Sequence, residues 1–245
     1  MEREDLGVEI RVEFRSAAGR SCQDEPAGLR GVPVEARAPL SQPRAYRGRR
    51  SKITKWTSAS SGWAVWCSSD IQKSAAMLLD FDPDIACFQS NVVQVHWEKN
   101  GKHGTTEPAF MARTRQGQRL AIVHPPRSTA GLEEEALQQT AEEAGWRIRP
   151  LTVPQGVLRS SLRTVAHFRH TRIPSEQDRH RVLAAFATPL PLTAGAARCG
   201  LGPPSMDYAW HLLWTGELSC DWGRPLLPTS RVWASGRDTS KESEG

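Results

Sequence analysis

Two segments in the middle of the chain carry groups that can do chemistry. Glu107 stands in "TTEPAFMAR" (105–113), and His124 stands in "RLAIVHPP" (119–126). A carboxylate can bind a divalent cation, and an imidazole can act as a metal ligand or as a general base. One carboxylate and one imidazole nevertheless make a weak site for a hard cation.

The other titratable groups add little to such a site. Asp80 and Asp82 lie near the end of a predicted helix, where either could supply a further carboxylate. His167 and His170 have an i, i+3 spacing, but the arginines beside them argue against a cation site. The five cysteines form no CxxC pair, which argues against a thiolate zinc site and predicts reduced, mostly buried thiols.

The N-terminal third is predicted to contain little regular structure. "GVEIRVEF" (7–14) alternates apolar and charged residues, which is typical of an edge strand. Residues 15–43 are rich in Gly, Pro, Ala and Arg, which predicts a poorly ordered connector with one short strand around 32–34. Residues 44–55 then contain a dense run of positive charges. This run is either an arm that contacts phosphates or a charged segment that is simply solvated.

The elements that would position Glu107 and His124 form a mixed α/β core. Helices are predicted over residues 68–84 and 131–146, the second closed by Gly145. A KNGKHG turn and a Gly-containing turn separate the central strands. The predicted strands are "IACFQS", "VVQVHWE", "TEPAFMART", "RLAIVH" and "WRIRPLTV". The order is therefore helix, three-strand meander, helix and strand.

After Pro154 the pattern becomes mostly helical. Amphipathic spacing predicts helices over 157–170, 175–187 and 205–218, and residues 221–233 read as two short strands with a turn. Three helices and a small hairpin favour a winged-helix-type unit. The predicted regions of the chain are 1–43, 44–153, 154–233 and a disordered polar tail, 234–245.

The composition restricts the class of protein. The formal charge is +5 and the isoelectric point is about 9.2, a mild basic excess that permits nucleic-acid binding. The acidic start, "MEREDLGVEI", does not have the pattern of a signal peptide, and no apolar run has the length of a membrane span. A soluble, cytoplasmic protein with no membrane partner is expected.

Five motifs are informative through their order and spacing. They are "LLDFDP" (78–83), "FQSNVVQVHW" (88–97), "AEEAGWRIRPL" (141–151), "VAHFRHTR" (165–172) and "HLLWTGELSCDWGRPLLPTSRVW" (211–233). Taken together they resemble the TnsA-like endonuclease subunits of heteromeric cut-and-paste transposons. The resemblance extends over about residues 44–233.

The resemblance implies a fold and a function. The fold would be a restriction-endonuclease-like PD-(D/E)xK domain over 44–153, followed by a winged-helix-like domain over 154–233. Such a subunit cuts one DNA strand at each transposon end, while a DDE-type transposase cuts the other. An ATPase regulator is typical of such transposons. Cutting requires Mg²⁺ held by carboxylates, which activates water and neutralises charge on the phosphate.

The same resemblance places four catalytic positions on this sequence. The helix glutamate falls on Gln72, and the aspartate after proline falls on Ala109. The acidic-x-lysine pair falls on Ile122 and His124. None of the four is the expected residue, which predicts that metal-dependent cutting has been lost, with Glu107 as the one substitute carboxylate. No cofactor is expected, except Mg²⁺ if the protein is active.

Basic segments give the expected DNA contacts. The expected phosphate-contacting residues are Arg47, Arg49, Arg50 and Lys52 in the first segment, and Arg169 and Arg172 in the second.

Three hypotheses for the function follow from these observations. The first is a pseudo-nuclease that binds transposon-end DNA or its transposase. The second is an active nuclease with a rearranged site around Glu107, His124 and Asp80 or Asp82. The third is a scaffold left from a decayed mobile element that does not bind DNA.

Overall fold

The computed structural model describes residues 8–43, 51–125, 131–171 and 173–236. The chain divides into two compact units, residues 1–153 and residues 154–245. In the described part of the chain, no helix has both the length and the apolar character to cross a membrane.

The first unit combines strands and helices, as predicted for a mixed α/β core. Its elements are β1 (Glu9–Arg15), β2 (Ser21–Asp24), β3 (Thr54–Thr57), β4 (Ala64–Cys67), α1 (Asp70–Phe81), β5 (Ile85–Gln89), β6 (Val93–Lys99), β7 (Lys102–Thr106), β8 (Phe110–Thr114), β9 (Arg119–Val123), α2 (Gly131–Ala144) and β10 (Arg147–Pro150). One sheet has the order β2-β1-β6-β7, a second has the order β10-β9-β8-β5, and β3 pairs with β4.

The predicted order of helix, three-strand meander, helix and strand is found in the second sheet and its helices, as α1, the meander of β5, β8 and β9, then α2 and β10. Strands β5, β8 and β9 are antiparallel neighbours, and β10 joins β9 in parallel after α2. The prediction was wrong about which strands form the meander. "VVQVHWE" became β6, which forms a hairpin with β7 and pairs with β1 in the other sheet.

"TEPAFMART" is not one strand. Strand β7 ends at Thr106 and β8 begins at Phe110, and the two belong to different sheets. Pro108 has no N–H to donate to a strand ladder, so the chain changes sheets at this point. Glu107 therefore lies in a connection between the two sheets and not in the predicted strand.

The N-terminal predictions also need correction. Strand β1 is not an edge strand, because it lies between β2 and β6. Residues 15–43 are not a poorly ordered connector, since they contain β2 and two short 3-10 helices. Leu29 and Val34 are fully buried, and Val34 begins a 3-10 helix where a strand was expected. These apolar anchors hold a Gly- and Pro-rich segment in place.

A buried carboxylate ties this N-terminal segment to the second sheet. Glu35 has no solvent exposure. Its two carboxylate oxygens lie 3.1 Å from Arg113 Nε and 3.4 Å from Arg119 Nε. A buried charge is tolerated only when it is paired, so the segment and strands β8 and β9 depend on one another.

The two helices of the first unit follow their local sequence signals. Ser69 caps α1, because its Oγ accepts a hydrogen bond from the Gln72 N–H. Pro83 follows the end of α1 and cannot continue it. Gly145 has a φ of 71°, the left-handed conformation that ends α2 at low cost. Both helices are confirmed within a few residues of the predicted bounds.

The second unit has more elements than predicted. It contains α3 (Gly156–Ala166), α4 (Glu176–Ala185), β11 (Leu190–Pro191), α5 (Leu192–Arg198), α6 (Pro204–Trp214), β12 (Leu218–Cys220) and β13 (Arg231–Ala234), with sheet order β11-β13-β12. The three predicted helices are present but shorter, and α5 was not predicted. A Cβ at Gly195 of α5 would collide with the Phe186 ring, so this short helix depends on close tertiary packing.

The C-terminal boundaries also shift. The predicted hairpin over 221–233 is formed instead by β12 and β13, in which Leu218 pairs with Ala234. Strand β13 thus ends at Ala234, one residue beyond the boundary predicted at residue 233. The remainder of the predicted tail, from residue 237, lies outside the described residues.

Candidate functional site

Three of the four predicted catalytic positions meet where α1, β8 and β9 come together. Gln72 of α1 donates from Nε2 to the Ala109 carbonyl at 3.1 Å. The Ala109 N–H donates to the Ile122 carbonyl of β9 at 2.7 Å. Positions separated by 37 and 13 residues in sequence are thus linked by two consecutive hydrogen bonds. We call this group the junction cluster: Gln72, Ala109 and Ile122.

The junction cluster is packed and neutral. The exposed fractions of Gln72, Ala109 and Ile122 are 7%, 5% and 1%. The Gln72 Oε1 accepts hydrogen bonds from the N–H and the hydroxyl of Ser68, at 2.7 and 2.9 Å. The cavity beside Ile122 has a volume of only about 10 Å³ and is bounded in part by Leu78, Leu79 and Leu151. The side chains therefore fill the space that a hydrolytic site would leave open.

The junction cluster does not fit Mg²⁺. A hard cation of this kind takes oxygen ligands, carboxylates above all. The cluster provides an alanine methyl, a branched hydrocarbon and a primary amide whose oxygen already accepts two hydrogen bonds. These three residues therefore do not support metal-dependent hydrolysis.

Glu107 and His124 line a separate cavity. It has a volume of about 400 Å³ and lies beside the first turns of α2. Its other lining residues are Thr105, Thr106, Val123, Pro125, Glu133, Glu134, Leu137, Gln138, Ile148 and Pro150. His124 thus shares a cavity lining with Glu107 and residues of α2, and it does not line the small cavity beside Ile122.

This larger cavity is acidic, with apolar walls. Glu107 is exposed, and desolvation by the surrounding residues raises the pKa of its carboxyl, since it disfavours the charged form. Glu133 and Glu134 are exposed at the start of α2. Among the residues that the structure describes, no group of three or more His, Cys, Asp or Glu side chains is arranged to hold a metal ion. Glu107 and His124 therefore belong to one cavity lining, in which the described residues form no complete ligand set.

The two aspartates considered as further ligands have other partners. Asp80 accepts hydrogen bonds from Trp56 Nε1 at 3.0 Å, Ser58 Oγ at 2.7 Å and the Ala59 N–H at 2.9 Å. Asp82 forms an ion pair with Arg149 at 3.0 Å. Neither aspartate lines the cavity of Glu107 and His124. Asp80 instead holds the β3–β4 turn on α1.

This structural role of Asp80 can be tested by unfolding. Asp80→Ala is expected to lower the free energy of unfolding in urea by about 2 kcal/mol, because buried donors lose their acceptor. Asp84→Ala is the matched control, since Asp84 is exposed, and it is expected to change the stability by less than about 0.5 kcal/mol. Equal effects of the two variants would contradict the role assigned to Asp80.

The predicted DNA contacts are only partly described. Arg47, Arg49, Arg50 and Arg172 lie outside the described residues. Lys52 is exposed shortly before β3. Arg169 is half-buried and donates from Nη1 to the Ala166 carbonyl at 2.5 Å, so part of its guanidinium satisfies the end of α3.

One basic and aromatic feature was missed from the sequence. No element was expected over residues 56–67, yet β3 and β4 form a hairpin there. The missed sign was the alternation of "ITKWT" before a Ser- and Gly-rich turn, followed by "WAVWC". The hairpin ends beside the junction cluster, because Ser68, which hydrogen-bonds Gln72, directly follows β4.

Comparison with known proteins assigns no family to this chain. No protein-family model matches it, and no curated protein matches it.

Proposed function

We propose that this chain is a TnsA-like subunit of a heteromeric transposase that has lost nuclease activity and acts through DNA or transposase binding. The observation that carries the proposal is the junction cluster. The resemblance assigns Gln72, Ala109 and Ile122 to the metal-binding positions, and in the fold hydrogen bonds join α1 to the connection before β8 and that connection to β9. The meeting of these positions, far apart in sequence, supports the proposal.

The element order gives independent support. A PD-(D/E)xK domain is expected to show a helix, a three-strand meander, a helix and a further strand. Here α1, β5, β8, β9, α2 and β10 follow in that order, with the β6–β7 hairpin inserted between the first two strands of the meander. The inserted hairpin pairs in another sheet and leaves the meander intact.

The loss of cutting follows from the chemistry of the residues. Phosphodiester hydrolysis of this type requires a metal that activates water and stabilises the charge on phosphate. Neutral, buried side chains at the three ligand positions remove that metal. On this proposal, the partner DDE-type transposase performs strand cleavage. The present chain contributes binding to transposon ends, to that transposase or to the ATPase regulator.

A second candidate function is a nuclease with a relocated site. It is favoured by one observation, namely that Glu107 and His124 line the same cavity of about 400 Å³. His124 could act there as a general base and Glu107 as a cation ligand. The same site would have to operate without Asp80 and Asp82, whose carboxylates are engaged elsewhere.

Plasmid nicking separates the two candidates. Purified protein is expected to leave supercoiled plasmid intact in Mg²⁺ and in Mn²⁺, because the ligand positions are empty of carboxylates. Nicking that Glu107→Ala abolishes would overturn the inactive assignment and favour the relocated site. Nicking that survives in Glu107→Ala at an unchanged rate would contradict the inactive assignment without supporting the relocated site.

A further inference from the structure

The cavity that Glu107 and His124 line has an apolar floor. We call Val123, Leu137 and Ile148 the cavity floor, because these three half-buried side chains line it together. They pack against the hydrophobic core of the first unit and keep accessible surface towards the cavity. Accessible apolar surface in a concave site is typical of a place where a partner binds.

The charged side chains around this floor are carboxylates. We call Glu107, Glu133 and Glu134 the glutamate rim, and among the described residues the lining contains no lysine or arginine. In the described part of the chain no cation pairs with the rim, whereas the next residue of α2, Glu135, pairs with Lys99 at 2.8 Å. The cavity is thus an acidic site on a chain of net charge +5, and it repels phosphate and attracts cations.

An outer strand borders the same cavity. Thr105 and Thr106, which line it, are the last residues of β7. Strand β7 lies at one side of its sheet, and β6 is its one strand partner among the described residues. Every second residue of an outer strand directs its N–H and C=O groups away from the sheet, where an extended peptide can pair with them. A polypeptide therefore matches this border better than a small cation does.

We propose that this cavity binds an extended segment of a partner protein in which an apolar side chain stands between lysine or arginine residues. The inference rests on the proposed function, in which the transposase is a binding partner, and it assigns that contact to one site. The apolar side chain covers the cavity floor, and the flanking cations lie against the glutamate rim. Desolvation raises the pKa of the Glu107 carboxyl, and a bound ammonium or guanidinium would stabilise its charged form.

Fluorescence anisotropy with a labelled pentapeptide tests the proposal. The probe has a central leucine with two lysines on each side. One control peptide has serine in place of the leucine, and the other has glutamine in place of the four lysines. At about 50 mM salt the protein is expected to bind the probe about tenfold more tightly than either control peptide, because one control loses the apolar contact and the other loses the ion pairs. Affinity for the probe should fall as salt screens the charges.

Variants of the protein test the two parts of the site separately. Replacing the whole glutamate rim by glutamine removes charge with little change of shape, and it should weaken probe binding about tenfold. The matched control replaces Glu9, Glu25 and Glu98 by glutamine, three exposed carboxylates that do not line this cavity, and it should bind the probe within about twofold of wild type. Val123→Thr puts a hydroxyl on the floor at similar volume and should weaken binding about threefold. Thermal unfolding checks that each variant is folded.

The contrary outcomes are distinct. The proposal is overturned if the protein binds the probe no better than either control peptide, or if the rim variant and its matched control lose equal affinity. It is also overturned if Mg²⁺ displaces the probe more strongly than NaCl of the same ionic strength, because the rim would then hold a cation, as the relocated nuclease site requires. Loss of the peptide effect with plasmid left intact and duplex DNA bound refutes this site alone. Nicking of plasmid by wild type refutes the proposed function, whatever the peptide does.

Discussion

A variant that combines Gln72→Glu, Ala109→Asp and Ile122→Glu is expected to nick supercoiled plasmid in Mg²⁺. The substitutions put carboxylates at the junction cluster, whose three positions lie close together in the wild-type fold. Three carboxylates can hold Mg²⁺, which can activate water and stabilise charge on the phosphate. Wild type is expected to show no cleavage. A measurable metal-dependent cleavage rate in the variant is therefore the largest change predicted for this protein.

The restored variant should also depend on metal for its stability. Burying carboxylates where Ile122 is now 1% exposed is costly without a cation. Mg²⁺ at about one hundred times its dissociation constant would stabilise the folded variant by about 2.7 kcal/mol. Thermal unfolding with and without Mg²⁺ measures this difference, and wild type should show no such shift.

A neutral variant of similar size provides the control. Ala109→Asn and Ile122→Gln, with the native Gln72, match the shapes of the carboxylates but have no charge. This variant should neither nick DNA nor respond to Mg²⁺. A folded carboxylate variant that fails to cut in Mg²⁺ and in Mn²⁺ would show that the junction cluster is not a former hydrolytic site.

Local signals in the sequence were sufficient for the helices. Ser69 and Gly145 mark helix ends through their own backbone chemistry, so α1 and α2 could be placed from short stretches of sequence. The candidate positions Gln72, Ala109 and Ile122 came from the family resemblance alone, and their catalytic assignment stays a prediction.

Partners distant in sequence could not be predicted. Alternation identifies β6 as a strand, but it does not determine that β6 pairs with β1 instead of β8. Glu35 looks like one charge in a polar connector, because its partners Arg113 and Arg119 lie about 80 residues further along. The composition of residues 15–43 resembles that of a linker, yet a few buried side chains order the segment. Tertiary contacts outweigh composition there.

The basic segment before the hairpin gives the second large prediction. Replacing Arg47, Arg49, Arg50 and Lys52 together by alanine is expected to weaken binding to duplex DNA about a hundredfold at about 50 mM salt. Each lysine or arginine that contacts a phosphate releases a counterion, so the plot of log affinity against log salt should become shallower by about 3 to 4. Anisotropy titrations at several salt concentrations measure both quantities.

A charge-matched variant distinguishes a local arm from a general effect of net charge. Replacing the exposed residues Lys102, Arg198, Arg224 and Arg231 by alanine removes the same four positive charges from other surfaces. If these residues do not contact DNA, the salt dependence should keep its wild-type slope, because long-range attraction is screened within about 10 Å at 0.1 M salt. Equal losses in the two variants would mean that no arm exists at 47–52. The weak affinity would then come from the overall basic charge, and the transposase would become the principal partner to test.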